Sequence, residues 1–275
     1  MDKIEYTFGA RNENNLGDGM IVTTSYNPTE GAVARSRRFA EENGWTWVPR
    51  ERHSLRQLAL KYGDERIWSV SDKDLNYYDH SDTPLFFHPS MALVRIKRLL
   101  QGETDSLLLA SGVRQGDTVL DCTAGLASDS IVFSYAVGSE GGVTALESEQ
   151  ALAVLLQEGL QTYRSGIPQL DEAMRRIHVM HQDHAAYLKE LPDNSFDLVY
   201  FDPMFRMPVQ ESSHLSPLRE VANTAPLQNS TILEATRVAR KAVVLKELRG
   251  SREFERLGFN EKRSSSKISY GVISW

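Results

Sequence analysis

Cysteine is almost absent from this chain. The single residue, Cys122, excludes an internal disulfide and any zinc cluster that needs several cysteines. Long apolar runs are also missing, and none approaches the roughly 20 residues that a membrane helix needs. The first residues, Met-Asp-Lys-Ile-Glu-Tyr, lack the apolar core of an export signal. We therefore expect a cytoplasmic protein without membrane association.

Positive charge is in short supply, with 31 Lys and Arg against 37 Asp and Glu and a net charge of −6. Phosphate contacts need Lys and Arg, so this balance disfavours a protein that coats nucleic acid without specificity. Local basic clusters lie at Arg35, Arg37 and Arg38, at Arg50, Arg52 and Arg56, at Arg95, Lys97 and Arg98, and at Arg249, Arg252, Arg256, Lys262, Arg263 and Lys267. Such clusters form a binding site only where they converge in three dimensions.

The first part of the chain, residues 1–85, is irregular and predicts a small α+β appendage. Short β-like runs surround one helix, for which Thr29 is the expected N-cap and Gly44 the expected C-terminal stop. The predicted elements are strands at residues 20–24, 45–48 and 66–70 and helices at residues 29–42 and 55–61. The tryptophans of these runs, Trp45, Trp47 and Trp68, are expected in the core, because their setting is β-like. The appendage and the basic clusters are also candidates for a substrate-binding surface.

The second part, residues 86–275, alternates between helices and strands. The predicted strands are residues 118–122, 142–147, 176–180, 196–201, 241–246 and 267–275, and the predicted helices are residues 91–100, 104–110, 128–137, 149–163, 185–190 and 229–238. Short connections between alternating elements predict a mostly parallel sheet that is covered on both faces. Such sheets bind ligands at the carboxyl ends of their strands, where the strand order reverses.

Four consecutive strands of this sheet end in an acid. These acids are Asp121, Glu147, Asp183 and Asp202. Glu147 follows Asp121 by 26 residues, which is close to the spacing at which an acid accepts hydrogen bonds from ribose hydroxyls. Any one acid could be an N-cap or a solvated strand end, but four along one edge indicate a nucleoside-type ligand.

The loop after the first of these strands reads Asp121-Cys-Thr-Ala-Gly-Leu-Ala-Ser-Asp129. Gly125 permits close approach of the backbone, and the small side chains of Thr123 and Ala124 leave room for a ligand. The loop lacks the three-glycine dinucleotide fingerprint, which disfavours a nicotinamide oxidoreductase. S-adenosylmethionine (SAM) has no phosphates and carries two positive groups, so Asp121 and Asp129 suit it.

The fourth strand ends in Asp202-Pro203-Met204-Phe205. This tetrapeptide offers a carboxylate, a proline-stiffened turn with free carbonyls and an aromatic stacking surface. Those groups can hold a planar base by its exocyclic amine, so they predict methyl transfer to an amino nitrogen. The alternative is that Asp-Pro simply ends the strand, because proline has no N–H for the ladder.

Four segments of the chain together resemble the ribosomal RNA small subunit methyltransferase J family. They are the loop 121–129, Leu146-Glu147, the segment 200–205 and Val243-Val-Leu-Lys246. The resemblance covers residues 87–246 and departs from the family at Ala127-Ser128, where the family has Gly-Arg. It implies a Rossmann-like class I methyltransferase sheet at residues 86–275, with SAM as cofactor. It also implies methylation of guanosine N2 in 16S ribosomal RNA, with that RNA or the small ribosomal subunit as partner. The implied cofactor contacts are Ser128, Asp129, Glu147, Ser148, Asp183, His184 and Asp202.

The residues and the resemblance together give two predicted sets. The cofactor set is Asp121, Thr123, Ala124, Gly125, Ser128, Asp129, Glu147, Ser148, Asp183, His184 and Asp202. The catalytic set is Asp202, Pro203, Met204 and Phe205. Adenine N6 or cytosine N4 as acceptor, and a non-catalytic SAM-binding protein, stay open as alternatives. No metal is expected, because residues three apart on a strand, such as His178 and His181, point to opposite faces.

Overall fold

The computed structural model describes residues 19–80, 83–203, 225–263 and 267–275. The chain divides into two compact units, of which the first ends at Pro84 and the second begins at Leu85. Among the described residues, no helix has both the length and the apolar character needed to cross a membrane.

The first unit carries a small sheet with two helices. Its strands are β1 (Ile21–Thr24), β2 (Thr46–Trp47), β3 (Ile67–Val70) and β4 (Leu75–Tyr78), and its helices are α1 (Glu30–Asn43) and α2 (Leu55–Tyr62). The order is β2-β1-β3-β4; β1 runs parallel to β2 and β3, and β4 is antiparallel to β3. The predicted ends of α1 are confirmed, because the Thr29 side chain accepts a hydrogen bond from the Ala32 N–H and Gly44 is left-handed at φ 70°.

Aromatic side chains form the centre of the first unit. Trp45 and Trp68 stack with ring centroids 5.4 Å apart, and Phe39 meets both rings edge-on. Trp45 and Trp68 are buried, which confirms their predicted place in the core. Trp47 is only half-buried, with the guanidinium carbon of Arg37 4.3 Å from its ring centroid.

The second unit contains a larger sheet. The strands of this unit are β5 (Leu85–Phe86), β6 (Thr118–Asp121), β7 (Gly142–Glu147), β8 (Ile177–His181), β9 (Phe196–Phe201), β10 (Ala239–Leu248), β11 (Asn260–Arg263) and β12 (Ile268–Ser274). All of them except β5 belong to the larger sheet. Its helices are α3 (Ser90–Leu100), α4 (Ser106–Ser111), α5 (Ser128–Val137), α6 (Gln150–Thr162), α7 (Pro168–Arg175), α8 (His184–Glu190), α9 (Asn229–Val238) and α10 (Arg252–Leu257). Seven strands lie in the order β11-β12-β10-β9-β6-β7-β8, and β12 is antiparallel to both of its neighbours. The predicted α/β sheet is confirmed.

Besides the two-residue strand β5, three elements of the second unit do not follow from its sequence patterns. They are α7, α10 and β11, each of eight residues or fewer. Short, charged segments carry little periodic signal, and tertiary packing within the unit stabilises them. For α7 a usable signal is present, because Pro168 occupies the first helical turn.

Side-chain alternation along β9 places helices on both faces of the sheet. Val199 and Phe201 belong to a core cluster with Leu188 of α8 and Ile232 of α9. Tyr200, between them, points to the opposite face and meets Phe133 of α5 edge-on at 5.1 Å. The face that Tyr200 shares with α5 also carries the charged groups described below.

We predict that Gly159→Ala destabilises the second unit by about 1–3 kcal/mol, the usual range for overpacking. A Cβ on Gly159 of α6 would lie 2.1 Å from the Phe87 ring, so the ring must shift. Gly142→Ala is the matched control, because its Cβ would meet nothing within 4 Å. Urea unfolding of both variants measures the difference, and equal midpoints would contradict this packing.

Candidate active site

A cleft lies at the carboxyl ends of the central parallel strands of the second unit. Strand β6 stands between β7 and β9, so the strand order reverses beside it, and this is where open α/β sheets bind ligands. The cavity measures about 210 Å³. Its lining includes eight of the predicted site residues: Thr123, Gly125, Glu147, Ser148, Asp183, His184, Asp202 and Pro203. Leu227, Gln228 and Thr231, which were not predicted, also line it.

Glu147, at the end of β7, is buried and holds the loop that follows β6. Its Oε2 accepts a hydrogen bond from the Gly125 N–H at 3.0 Å, and its Oε1 accepts one from the Glu149 N–H at 2.9 Å. Burial raises the pKa of its carboxyl, and these backbone N–H groups oppose that rise. An ionised carboxylate has about four acceptor sites, so capacity remains for a ligand in the cleft.

Asp183 and His184 begin α8 beside Glu147. The Asp183 Oδ1 accepts a hydrogen bond from the Ala186 N–H at 2.9 Å, which caps the helix. Burial lowers the pKa of His184, which favours its neutral form. Among the described residues, no three His, Cys, Asp or Glu side chains are grouped so that they could hold a metal ion.

Asp202, directly after β9, is fixed by two contacts at the wall of the cleft. Its backbone N–H donates to the Thr123 Oγ1 at 2.6 Å, and its Oδ2 accepts from the Lys246 Nζ at 2.7 Å. The side chain keeps 24% of its surface exposed. Burial raises the pKa of its carboxyl to about 6, against the opposing effect of the Lys246 ammonium. Asp202 therefore presents a carboxylate that is ionised at neutral pH.

Asp129 is predicted as a cofactor contact, but the structure places it outside the lining of the cleft. It accepts from the Lys246 Nζ at 2.8 Å, from the Tyr200 hydroxyl at 2.7 Å and from Arg95. Burial would raise the pKa of its carboxyl, but the positive charges of Lys246 and Arg95 lower it. Arg95 also forms an ion pair with Asp105, 2.7 Å from its Nε. Asp129 is thus a structural anion of a buried network, with both oxygens engaged.

Asp121 also turns away from the cleft, although it ends β6 as predicted. Its side chain is 1% exposed and accepts from the Thr123 N–H and the Ser130 hydroxyl. Burial raises the pKa of its carboxyl to about 7. Ala124 and Ser128 are likewise absent from the described lining. Met204 and Phe205, which belong to the predicted catalytic set, lie outside the described residues.

The residues that sequence reasoning missed are the cations and the tyrosine around Asp129: Arg95, Tyr200 and Lys246. Lys246 had a usable signal, because a lysine near the end of the apolar strand β10 needs a buried partner. Arg95 had none, since it lies 34 residues from Asp129 along the chain. Its role is visible only once α3 packs beside α5.

Comparison with known proteins agrees with this geometry. Residues 71–257 match the family model described as "Putative SAM-dependent methyltransferase". The uncharacterised protein YpiP of Bacillus subtilis is 42% identical over 254 residues, which cover 92% of this chain and 98% of YpiP.

Relatives that carry a functional name are more distant. The ribosomal RNA small subunit methyltransferase J of Francisella tularensis subsp. novicida is 28% identical over 187 residues, covering 66% of this chain and 76% of that protein. A SAM-dependent methyltransferase from Neisseria gonorrhoeae shares the fold at a TM-score of 0.57 and 18% identity, covering 93% of this chain and 96% of that one. The predicted family resemblance and the Rossmann-like fold are therefore confirmed, and the chain belongs to the family of SAM-dependent methyltransferases.

Proposed function

We propose that this methyltransferase modifies an exocyclic amine of an RNA base, and that the acceptor is N2 of a guanosine in 16S ribosomal RNA. The observation that carries the proposal is the Asp202 carboxylate, held by Lys246 at the wall of the cleft. The relatives named ribosomal RNA small subunit methyltransferase J support RNA as the acceptor class.

The lining of the cleft fits SAM, which supplies an electrophilic methyl group when bound. A ribose diol and an α-ammonium group are hydrogen-bond donors, and the cleft presents acceptors in the carboxylates of Glu147, Asp183 and Asp202. We assign Glu147 to the ribose hydroxyls, because it ends β7 at the position that binds ribose in sheets of this kind. Asp183, with His184 beside it, lines the same cleft.

The acceptor amine needs orientation more than activation by a base. The nitrogen lone pair of guanine N2 is delocalised into the ring, and acceptors placed on its hydrogens favour a pyramidal nitrogen. The Asp202 carboxylate and the Pro203 carbonyl are the proposed acceptors. As nitrogen gains the methyl group it loses one proton, which passes to Asp202 or to water. Phe205 remains the predicted stacking partner of the base, at about 1–3 kcal/mol for such a contact.

The acceptor is tested with SAM tritiated at the methyl group. We expect transfer to 16S ribosomal RNA, naked or in the small subunit, and N2-methylguanosine after digestion to nucleosides. Asp202→Asn should lower the rate by about 100-fold or more, because loss of one positioned hydrogen-bonding group that acts on the reacting atoms has effects of that size. Asp193→Asn, which changes an exposed acid paired with Arg237, is the control. Label in N6-methyladenosine or N4-methylcytosine would instead identify the alternative acceptors.

The cofactor role of Glu147 is tested by calorimetric titration with SAM and with its demethylated product. Glu147→Ala should weaken both by about 10- to 100-fold, because hydrogen bonds to a charged group contribute about 1.5–3 kcal/mol. Glu149→Ala is the matched control, since it removes a neighbouring acid that is not among the cleft residues. Equal losses in the two variants would contradict the assignment.

Activity should depend on the ionisation of Asp202. Because the pKa of its carboxyl is about 6, kcat/KM should fall as the pH drops through that value, where the protonated carboxyl stops accepting from the amine. Lys246→Met removes the positive charge that favours the carboxylate, so this fall should move to higher pH. Lys241→Met, on the same strand and paired with Asp117, should leave the profile unchanged. An unchanged profile in Lys246→Met would show that another group titrates.

A further inference from the structure

The small sheet of the first unit has its own reversal of strand order. Its parallel strands follow the order β2-β1-β3. The chain leaves β1 through α1 to reach β2 on one side and then returns through α2 to β3 on the other. The strand order therefore reverses at β1. Beyond the carboxyl ends of β1 and β2 lie Tyr26 and Arg50, so both residues stand where α/β sheets bind ligands.

Arg50 is buried at this edge, and the described residues include no acidic partner for it. The residue is 8% exposed, and its guanidinium carbon lies 4.4 Å from the ring centroid of Tyr26, which is 54% exposed. Its buried Nε has no hydrogen-bond partner in the structure. Within the described ranges, no carboxylate forms an ion pair with Arg50, whereas Arg66 of the same unit pairs with Asp64 at 2.8 Å.

A buried guanidinium that has no acidic partner among the described residues is a candidate site for an anion. Arginine stays charged at any physiological pH, and burying a charge without a partner is costly. Its planar fork of N–H donors matches a phosphate in a bidentate contact. The exposed ring of Tyr26 beside it offers the stacking surface on which proteins that bind single-stranded nucleic acids hold bases. Arg52 and Arg56, both exposed, add positive charge within six residues of Arg50.

We propose that Arg50 and Tyr26 form a binding subsite for single-stranded RNA, in which Arg50 holds a phosphate and Tyr26 stacks on the adjacent base. This subsite rests on the proposed function, since the first unit would then contribute to binding of the RNA acceptor. A phosphate next to an aromatic base is also present in a free nucleotide. Competition with adenosine monophosphate distinguishes a free nucleotide from single-stranded RNA as the ligand.

The test measures how the full-length protein binds a short fluorescein-labelled single-stranded RNA, by anisotropy over a series of salt concentrations. Arg50→Gln should reduce the slope of log affinity against log salt by about 0.7, the value for one phosphate on a single strand. Tyr26→Ala should weaken binding about 5- to 100-fold, as expected for one stacked base. Because Tyr26 is exposed, this variant keeps the test valid if thermal melting shows that Arg50→Gln fails to fold.

Arg38→Gln is the matched control, because it makes the same change of charge at an exposed residue of α1 that lies 3.9 Å from Glu42. The proposal is overturned if Arg50→Gln and Tyr26→Ala bind RNA as Arg38→Gln does. It is also overturned if adenosine monophosphate displaces the RNA at micromolar concentration in an Arg50-dependent manner, since the ligand is then a free nucleotide.

Failure of the proposed function gives a different pattern of results. If ribosomal RNA accepts no methyl group while Arg50→Gln still lowers the salt slope, the RNA subsite stands and the acceptor is another RNA. If methyl transfer to 16S ribosomal RNA succeeds and all variants bind RNA equally, only the subsite is overturned. Titration with SAM should give the same affinity for Arg50→Gln and for wild type, because Arg50 is not among the residues that line the cleft.

Discussion

The ammonium of Lys246 lies between two carboxylates, and the arrangement of the candidate site depends on it. One contact, to Asp129, ties β10 to the first turn of α5. The other, to Asp202, fixes the residue that ends β9. The two acids raise the pKa of Lys246 although burial opposes its charge. Removing one member of such a buried group leaves an uncompensated charge, at a typical cost of about 3–5 kcal/mol.

Many residues that line the cleft could be predicted, because in a parallel sheet the position of a residue at the end of a strand shows at which edge it lies. Strands that alternate with helices all point their carboxyl ends to one edge, so acids such as Glu147 and Asp202 meet there whatever their separation in sequence. The ends of α1 could be read equally well, since Thr29 and Gly44 act through local backbone geometry. Helix ends could be predicted because their contacts lie within a few residues. Strand ends could be placed together because the parallel sheet brings them to one edge.

The direction of a side chain at the rim could not be predicted in this way. Asp121 and Asp129 have the residue type and the position of ligand-binding acids, yet both turn to partners within the protein. The direction of each side chain depends on the hydrogen-bond donors that tertiary packing places beside it. These donors are Ser130 for Asp121, and Lys246 and Arg95 for Asp129. Arg50 shows the converse. Its sequence cluster resembles an ordinary solvated face, and what distinguishes Arg50 is its burial with no acidic partner among the described residues.

The hydrogen bond from the Asp202 N–H to Thr123 has a consequence for chemical discrimination. That bond occupies the one backbone donor of Asp202, and Pro203 has none to offer. Over these two residues the wall of the cleft therefore consists of acceptors alone. A keto oxygen placed against it would face other lone pairs, whereas an amino group meets complementary polarity. Under the proposed function, this turn would favour an amino group over the keto oxygens of uracil by the sign of the partial charge on the base edge.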